Sequence, residues 1–159
     1  MIFVILGSQK FQFNRLLKAV DDMIEQTSLE EPVFAQIGSS DYTPRHYQYQ
    51  PFLNAEDFSR RQAEADIIIT HSGTGAIINS VKMGKKVIVV PRLKQYGEHV
   101  DDHQVEIAEM FASLGLVCAC MDPAELGEKL AEVRGMSFRP YQSNTDKYIQ
   151  ALDEYISSI

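Results

Sequence analysis

Residues 66–79, DIIITHSGTGAIIN, constrain this chain more than any other stretch. An apolar run breaks off into polar and glycine residues, and a helical pattern then begins. In an α/β protein that order gives a buried strand, a tight turn and a helix whose first free N–H groups face the turn. Glycines there let an anion approach the backbone, and the helix N-terminus adds partial positive charge. A phosphate or pyrophosphate is the natural guest, and an ordinary strand-to-helix turn is the alternative with the same outline.

The strand–turn–helix order recurs along the chain. Residues 1–6 are continuously apolar, as a strand covered on both faces requires. Gly7, Ser8, Gln9 and Lys10 form the turn after it. Phe13, Leu16, Leu17, Val20 and Ile24 then recur at three- and four-residue spacing, which predicts an amphipathic helix from about Asn14. Residues 33–38 read as a second strand ending in Gly38. A polar loop with Tyr42, Tyr47 and Tyr49 follows, with a short strand near Tyr47. A helix runs from about Asn54 to Ala65 and carries Arg60 and Arg61 on a solvated face.

After the central strand, a helix over 75–83 is ended by Gly84. Residues 87–90 are a buried strand stopped by Pro91. Residues 92–101 are polar and irregular, and a helix over 102–114 follows, capped by Gly115. Residues 116–119 are the next strand. Asp122, Pro123 and Glu125 signal a helix start, and a last helix from about 144 carries Tyr148, Ile149, Leu152, Tyr155, Ile156 and Ile159 on one stripe. No repeat or linker divides the sequence. Residues 1–159 therefore read as one α/β domain, a Rossmann-like doubly wound, mostly parallel sheet with helices on both faces.

Several function classes fall away on residues. The formal net charge of −7 leaves no broad basic footprint for nucleic acid. No apolar run approaches the roughly 20 residues that cross a bilayer, and residues 1–6 lack a basic leader and a cleavage site. Cys118 and Cys120 share one face of a strand and read as reduced core thiols of a cytosolic protein. His99 and His103 are four apart beside Asp102, yet the HExxH pattern is absent, so no metal is expected. A P-loop fails because Gly84 and Lys85 are followed by Lys86 with no glycine five positions before Gly84. The dinucleotide fingerprint fails after Gly7, and Ser72 lacks the glycine two positions earlier that a nucleophile elbow needs.

Two loops then matter, 71–75 and 92–104, both expected at the carboxyl edge of the sheet. The first offers backbone donors. The second offers Glu98, His99, Asp101, Asp102, His103 and Gln104, groups suited to sugar hydroxyls. A phosphate site beside a hydroxyl site points to a nucleotide sugar.

Taken together, His71, Ser72, Gly73, Thr74, Gly75, Ala76 and Ile77, then Val87 through Pro91, then Asp102, His103 and Gln104 with Gly115 downstream, resemble the C-terminal domain of glycosyltransferase family 28. Gly7 through Phe11 and Gln36 through Gly38 agree in order and spacing. The resemblance covers nearly the whole chain. It is strongest to short stand-alone members: the soluble subunit of the split N-acetylglucosaminyltransferase of dolichol-linked glycan assembly, and bacterial exopolysaccharide subunits of the PssE/EpsF type. The phrase GEHVDDHQ at 97–104 favours the bacterial type.

That resemblance implies one GT-B-type C-terminal half, binding a UDP-sugar donor without a cofactor. It implies a membrane-anchored subunit that supplies the acceptor-binding half and recruits this cytoplasmic chain to the inner face of the membrane. The acceptor would be a lipid-linked sugar in exopolysaccharide or capsule synthesis. By position, Gly7 and Ser8 belong to the donor site, and Ser72, Gly73, Thr74 and Gly75 would cradle the pyrophosphate. Asp102, His103 and Gln104 would hold the sugar, Phe52 and Leu53 would border the uracil, and Asn79 stands where relatives carry a ribose-binding acid. His71 and His99 are the candidate catalytic bases within this chain. Gly73→Val is expected to weaken nucleotide binding more than folding, and the stripe of the last helix is expected to contribute to the subunit interface. A non-catalytic sugar-nucleotide-binding regulatory module is the alternative.

Overall fold

The computed structural model describes residues 1–7 and 9–141. Its six strands are β1 (Ile2–Ile5), β2 (Val33–Gln36), β3 (Gln48–Gln50), β4 (Ile67–His71), β5 (Lys86–Val90) and β6 (Cys118–Ala119). Between and after them lie α1 (Asn14–Thr27), α2 (Ala55–Glu64), α3 (Thr74–Lys82), α4 (His103–Ser113) and α5 (Leu126–Gly135). The strands form one sheet in the order β3-β2-β1-β4-β5-β6, and every pairing is parallel. Ile2 pairs with Val33 on one side and with Ile67 on the other, and His71 pairs with Val90.

Continuous apolar strands exist here because both faces are covered. Alternate side chains of β1 serve different layers. Ile2, Val4 and Leu6 pack with Leu16, Leu17 and Val20 of α1 and Leu126, Leu130 and Val133 of α5. Phe3 and Ile5 pack with Ile77 and Val81 of α3 and Ile107 and Phe111 of α4, with Phe58 of α2 against them. Each such side chain taken from water contributes roughly 1.5–3 kcal/mol. Cys118 and Cys120 are buried free thiols in the α1/α5 layer, and burial pushes the Cys120 thiol up to about 12.

Local signals explain the element ends. Asn54 caps α2 by accepting from the Asp57 N–H at 2.8 Å. Asp122 accepts from the Ala124 N–H at 3.0 Å, but the turn it caps is a 3₁₀ turn, Pro123–Glu125, that hands over to α5. A second 3₁₀ turn, Lys94–Tyr96, interrupts what reads as irregular loop in the sequence. The strand expected over 116–119 narrows to two residues. The helix expected from about 144 lies outside the described residues, as does Ser8.

Candidate functional site

Because every strand runs the same way, the turns after β1, β4 and β5 lie side by side at one rim. The two loops singled out in the sequence follow neighbouring strands. Gly73 caps α3, and the helix begins at Thr74 with its first N–H groups turned toward this rim. Gly75 is exposed in that first turn, and a Cβ added there would meet nothing within 4 Å. Ser72 is fully buried beneath it, and its Oγ has no hydrogen-bond partner among the described residues.

Gln104 ties the two loops together. Its Oε1 accepts from the Ser72 N–H at 3.2 Å and from the Arg92 N–H at 3.0 Å. Those N–H groups stand at the ends of β4 and β5, so one amide staples both strands where they leave the sheet. Gln104 is 3% exposed. The sequence suggests a sugar contact for this residue, and the structure sets its oxygen in the wall beneath the rim.

His71 is set equally deep, at 5% exposed. The Nε2–Cε1 edge of its ring lies close beside two glycines. A Cβ at Gly7 would lie 2.7 Å from Nε2, and a Cβ at Gly73 would lie 2.3 Å from Cε1. Gly7 also has φ +76, which an L side chain adopts only with strain. Burial first, then the charges of Arg92 and His99, depress the imidazole to about 3. A ring so depressed is neutral at working pH and is a weak proton acceptor, which weighs against His71 of the two candidate bases. The collision at Gly73 bears on the expected behaviour of Gly73→Val: a side chain there strikes a buried ring, so the substitution burdens the fold itself.

The second loop is organised from within. Arg92 is buried, and its guanidinium donates to the carbonyls of Leu6, Phe11, Gln12 and Glu98. Burial holds it down at about 10, with Glu98 acting in the opposite sense. Glu98, offered by the sequence as a hydroxyl-binding group, is fully buried. It accepts from Arg15 and from the Leu93 N–H at 2.9 Å, so it serves the loop and not the surface.

Other expected residues do reach the surface. Asp102 is exposed, and its Oδ1 accepts from the Lys94 N–H at 2.9 Å. His103, half-buried, opens α4, and its N–H donates to Asp101 Oδ1 at 3.0 Å. The half-buried His99 has Nδ1 3.1 Å from Asp101 Oδ1 and its ring against Phe11, centroids 5.8 Å apart. Asn79 is exposed on the second turn of α3. Phe52, 54% exposed, and Leu53 follow edge strand β3; the Leu53 N–H donates to Gln36 Oε1 at 3.3 Å. Two strands separate β3 from β4, a lateral span of about 14 Å at the usual strand spacing, so this segment stands at the far end of the same rim. Among the described residues, no cluster of three or more His, Cys, Asp or Glu side chains is placed to hold a metal.

The roles of Arg15 and Arg92 are not apparent from spacing. The available signal is position: a charge directly after a buried strand and Pro91 is placed where the chain leaves the core.

A wholly parallel sheet with a glycine-flanked helix start in the middle of its carboxyl rim defines a Rossmann-like half-domain, the architecture found in GT-B glycosyltransferases. The chain matches the model of the glycosyltransferase family 28 C-terminal domain over residues 1–157, and it belongs to that family. It is 35% identical over 82 residues to the UDP-N-acetylglucosamine transferase subunit ALG13 of Candida glabrata, covering 51% of this chain and 39% of that protein. The same subunit of Debaryomyces hansenii is 26% identical over 137 residues, covering 80% of this chain and 64% of that protein. The chain thus spans less than two thirds of the length of these relatives. Among solved structures, the solution structure of ALG13 superposes with TM-score 0.63 at 18% identity, over 98% of this chain and 96% of that one. MurG of Acinetobacter baumannii superposes with TM-score 0.55 at 20% identity, over 98% of this chain and 49% of that one. These superpositions describe the fold.

Proposed function

We propose that this chain is the donor-binding subunit of a two-component glycosyltransferase that moves a sugar from a UDP-sugar to a lipid-linked acceptor. The observation that supports the reading is the Gln104 staple, which holds the N-terminus of α3 and the loop after β5 at one rim. The first turn of α3, with Ser72, Gly73, Thr74 and Gly75, receives the diphosphate. Asp102 and His103 meet the sugar, with Gln104 supporting them from below. Gly7 closes the near side, and Phe52, Leu53 and Asn79 take the nucleoside along the rim.

In the transfer, an acceptor hydroxyl forms a bond to the anomeric carbon while the bond from that carbon to the diphosphate breaks. The electron pair leaves on the diphosphate, and preset N–H donors stabilise the charge as it develops. The acceptor proton goes to a base. His99, oriented by Asp101, is the candidate in this chain, and the partner half is the other source.

The named relatives are UDP-N-acetylglucosamine transferase subunits, which makes UDP-N-acetylglucosamine the first donor to test. Exopolysaccharide or capsule synthesis, read from residues 97–104, is the second setting. No described helix is long and apolar enough to cross a membrane. Under this reading a membrane-anchored, acceptor-binding subunit brings the chain to the cytoplasmic membrane face.

The test is reconstitution with that subunit, labelled UDP-N-acetylglucosamine and a lipid-linked acceptor. Transfer of label, reduced at least tenfold by Gly75→Val with the melting temperature kept, supports the proposal. Tight donor binding with no transfer supports the regulatory module, and no response to any uridine nucleotide removes both.

A further inference from the structure

We propose that Gln104 is a positioning residue: it fixes the ring proton of His71 on Nε2, so that a neutral N–H donor faces the gap between Gly7 and Gly73. The inference rests on the functional reading above, because that gap is where the departing diphosphate gathers charge.

The argument is one of hydrogen-bond bookkeeping. A side-chain amide carries one acceptor oxygen and one donor nitrogen, and its orientation follows from its partners. Two backbone N–H groups, of Ser72 and Arg92, point at one atom of Gln104. Only the oxygen can accept both, so the amide cannot be reversed. The nitrogen is thereby directed at His71 Nδ1, 3.3 Å away. An amide nitrogen donates, so Nδ1 must accept and must lack a proton. In a neutral imidazole the proton then resides on Nε2.

That proton has a defined address. The Nε2–Cε1 edge of the ring is the part that the Cβ positions of both Gly7 and Gly73 approach, at 2.7 Å and 2.3 Å. Replacing either glycine would cover this edge. Burial keeps the ring uncharged far below neutrality. A neutral donor aimed where charge develops stabilises the leaving group and spares the desolvation of a buried cation. Gln104 thus acts through His71.

Long-range proton–nitrogen spectra of the ¹⁵N-labelled chain decide the point. Wild-type His71 is expected to show an unprotonated Nδ1 and a protonated Nε2 from pH 5 to 8. Gln104→Glu still accepts from Ser72 and Arg92 but offers His71 an acceptor in place of a donor. It is expected to draw the ring proton to Nδ1 and to weaken UDP binding at least tenfold. A wild-type ring protonated on Nδ1 overturns the proposal, whether or not the variant folds. A folded variant with an unchanged tautomer, or with a switched tautomer and UDP affinity within twofold of wild type, overturns it as well. Wild-type protein that shows the Nε2–H ring yet binds no UDP instead removes the functional reading and with it the role for the donor, while leaving the tautomer assignment standing.

Discussion

Arg15 and Glu98, 83 residues apart in the chain, meet in a two-pronged ion pair, Nε to Oε2 and Nη2 to Oε1, both at 3.0 Å. Arg15 lies in the first turn of α1 and Glu98 sits in the loop after β5, so the pair fastens that helix to that loop. The carboxylate is buried while the guanidinium retains some exposure and lies 4.6 Å from the Tyr96 ring centroid. Arg15→Ala leaves a buried carboxylate without its cation and is expected to cost about 3–5 kcal/mol. A double-mutant cycle with Glu98→Ala, measured by urea unfolding, should return a coupling above about 1 kcal/mol. Additive losses would show that the loop is held by other means.

The two glycines of the central turn part company on substitution. Gly73→Ala places a methyl against the His71 ring and is expected to destabilise by about 1–3 kcal/mol, as other overpacked sites do. Gly75→Ala meets open space inside a helix and is expected to stabilise by about 0.4–1 kcal/mol. Thermal and urea melts of the two variants check the order, and a reversed order would mean that the ring can move aside.

His71 links stability to pH. Its folded pKa, about 3, lies below the ordinary value of 6.5, so the unfolded chain takes up the proton first. The stability this residue contributes is therefore complete above about pH 6.5 and is lost as pH falls toward 3, at up to about 1.4 kcal/mol per pH unit. Urea titrations at pH 7 and pH 5 should show a drop about 2 kcal/mol larger in wild type than in His71→Gln. Parallel slopes in the two proteins would dismiss the buried neutral ring.

Asp21 makes a comparable prediction away from the rim. This buried carboxylate accepts from the Tyr42 hydroxyl at 2.6 Å and from the Arg45 and His46 N–H groups at 3.0 and 2.9 Å. It gathers the loop between β2 and β3 onto α1. Asp21→Ala strands these donors and is expected to cost about 2–4 kcal/mol, whereas Tyr42→Phe is expected to cost about 1 kcal/mol. Hydrogen exchange at residues 45 and 46 should rise in the first variant and not in the second.

What could be read from the sequence follows the range of the interactions involved. The start of α1 near Asn14, the helix start near Asn54 and the glycine turn at 71–75 are local signals, and the structure has them where spacing put them. The uninterrupted apolar runs of β1, β4 and β5 announced strands covered on both sides. The 3₁₀ turn at Lys94–Tyr96 and the inward turn of Glu98 were not legible, because a polar loop has the same composition whether it faces water or a distant arginine. Gln104 illustrates the same limit. A DHQ phrase marks a rim, but only the neighbouring ends of β4 and β5 reveal that the amide is already occupied by backbone.

The staple at Gln104 has a further consequence for how a ligand is met. With the exits of β4 and β5 fastened to each other before anything arrives, association pays little to order these turns, and the entropic penalty of capture is correspondingly small. Any closure over a ligand would then fall to parts of the rim outside this staple, leaving these two exits as a fixed anvil.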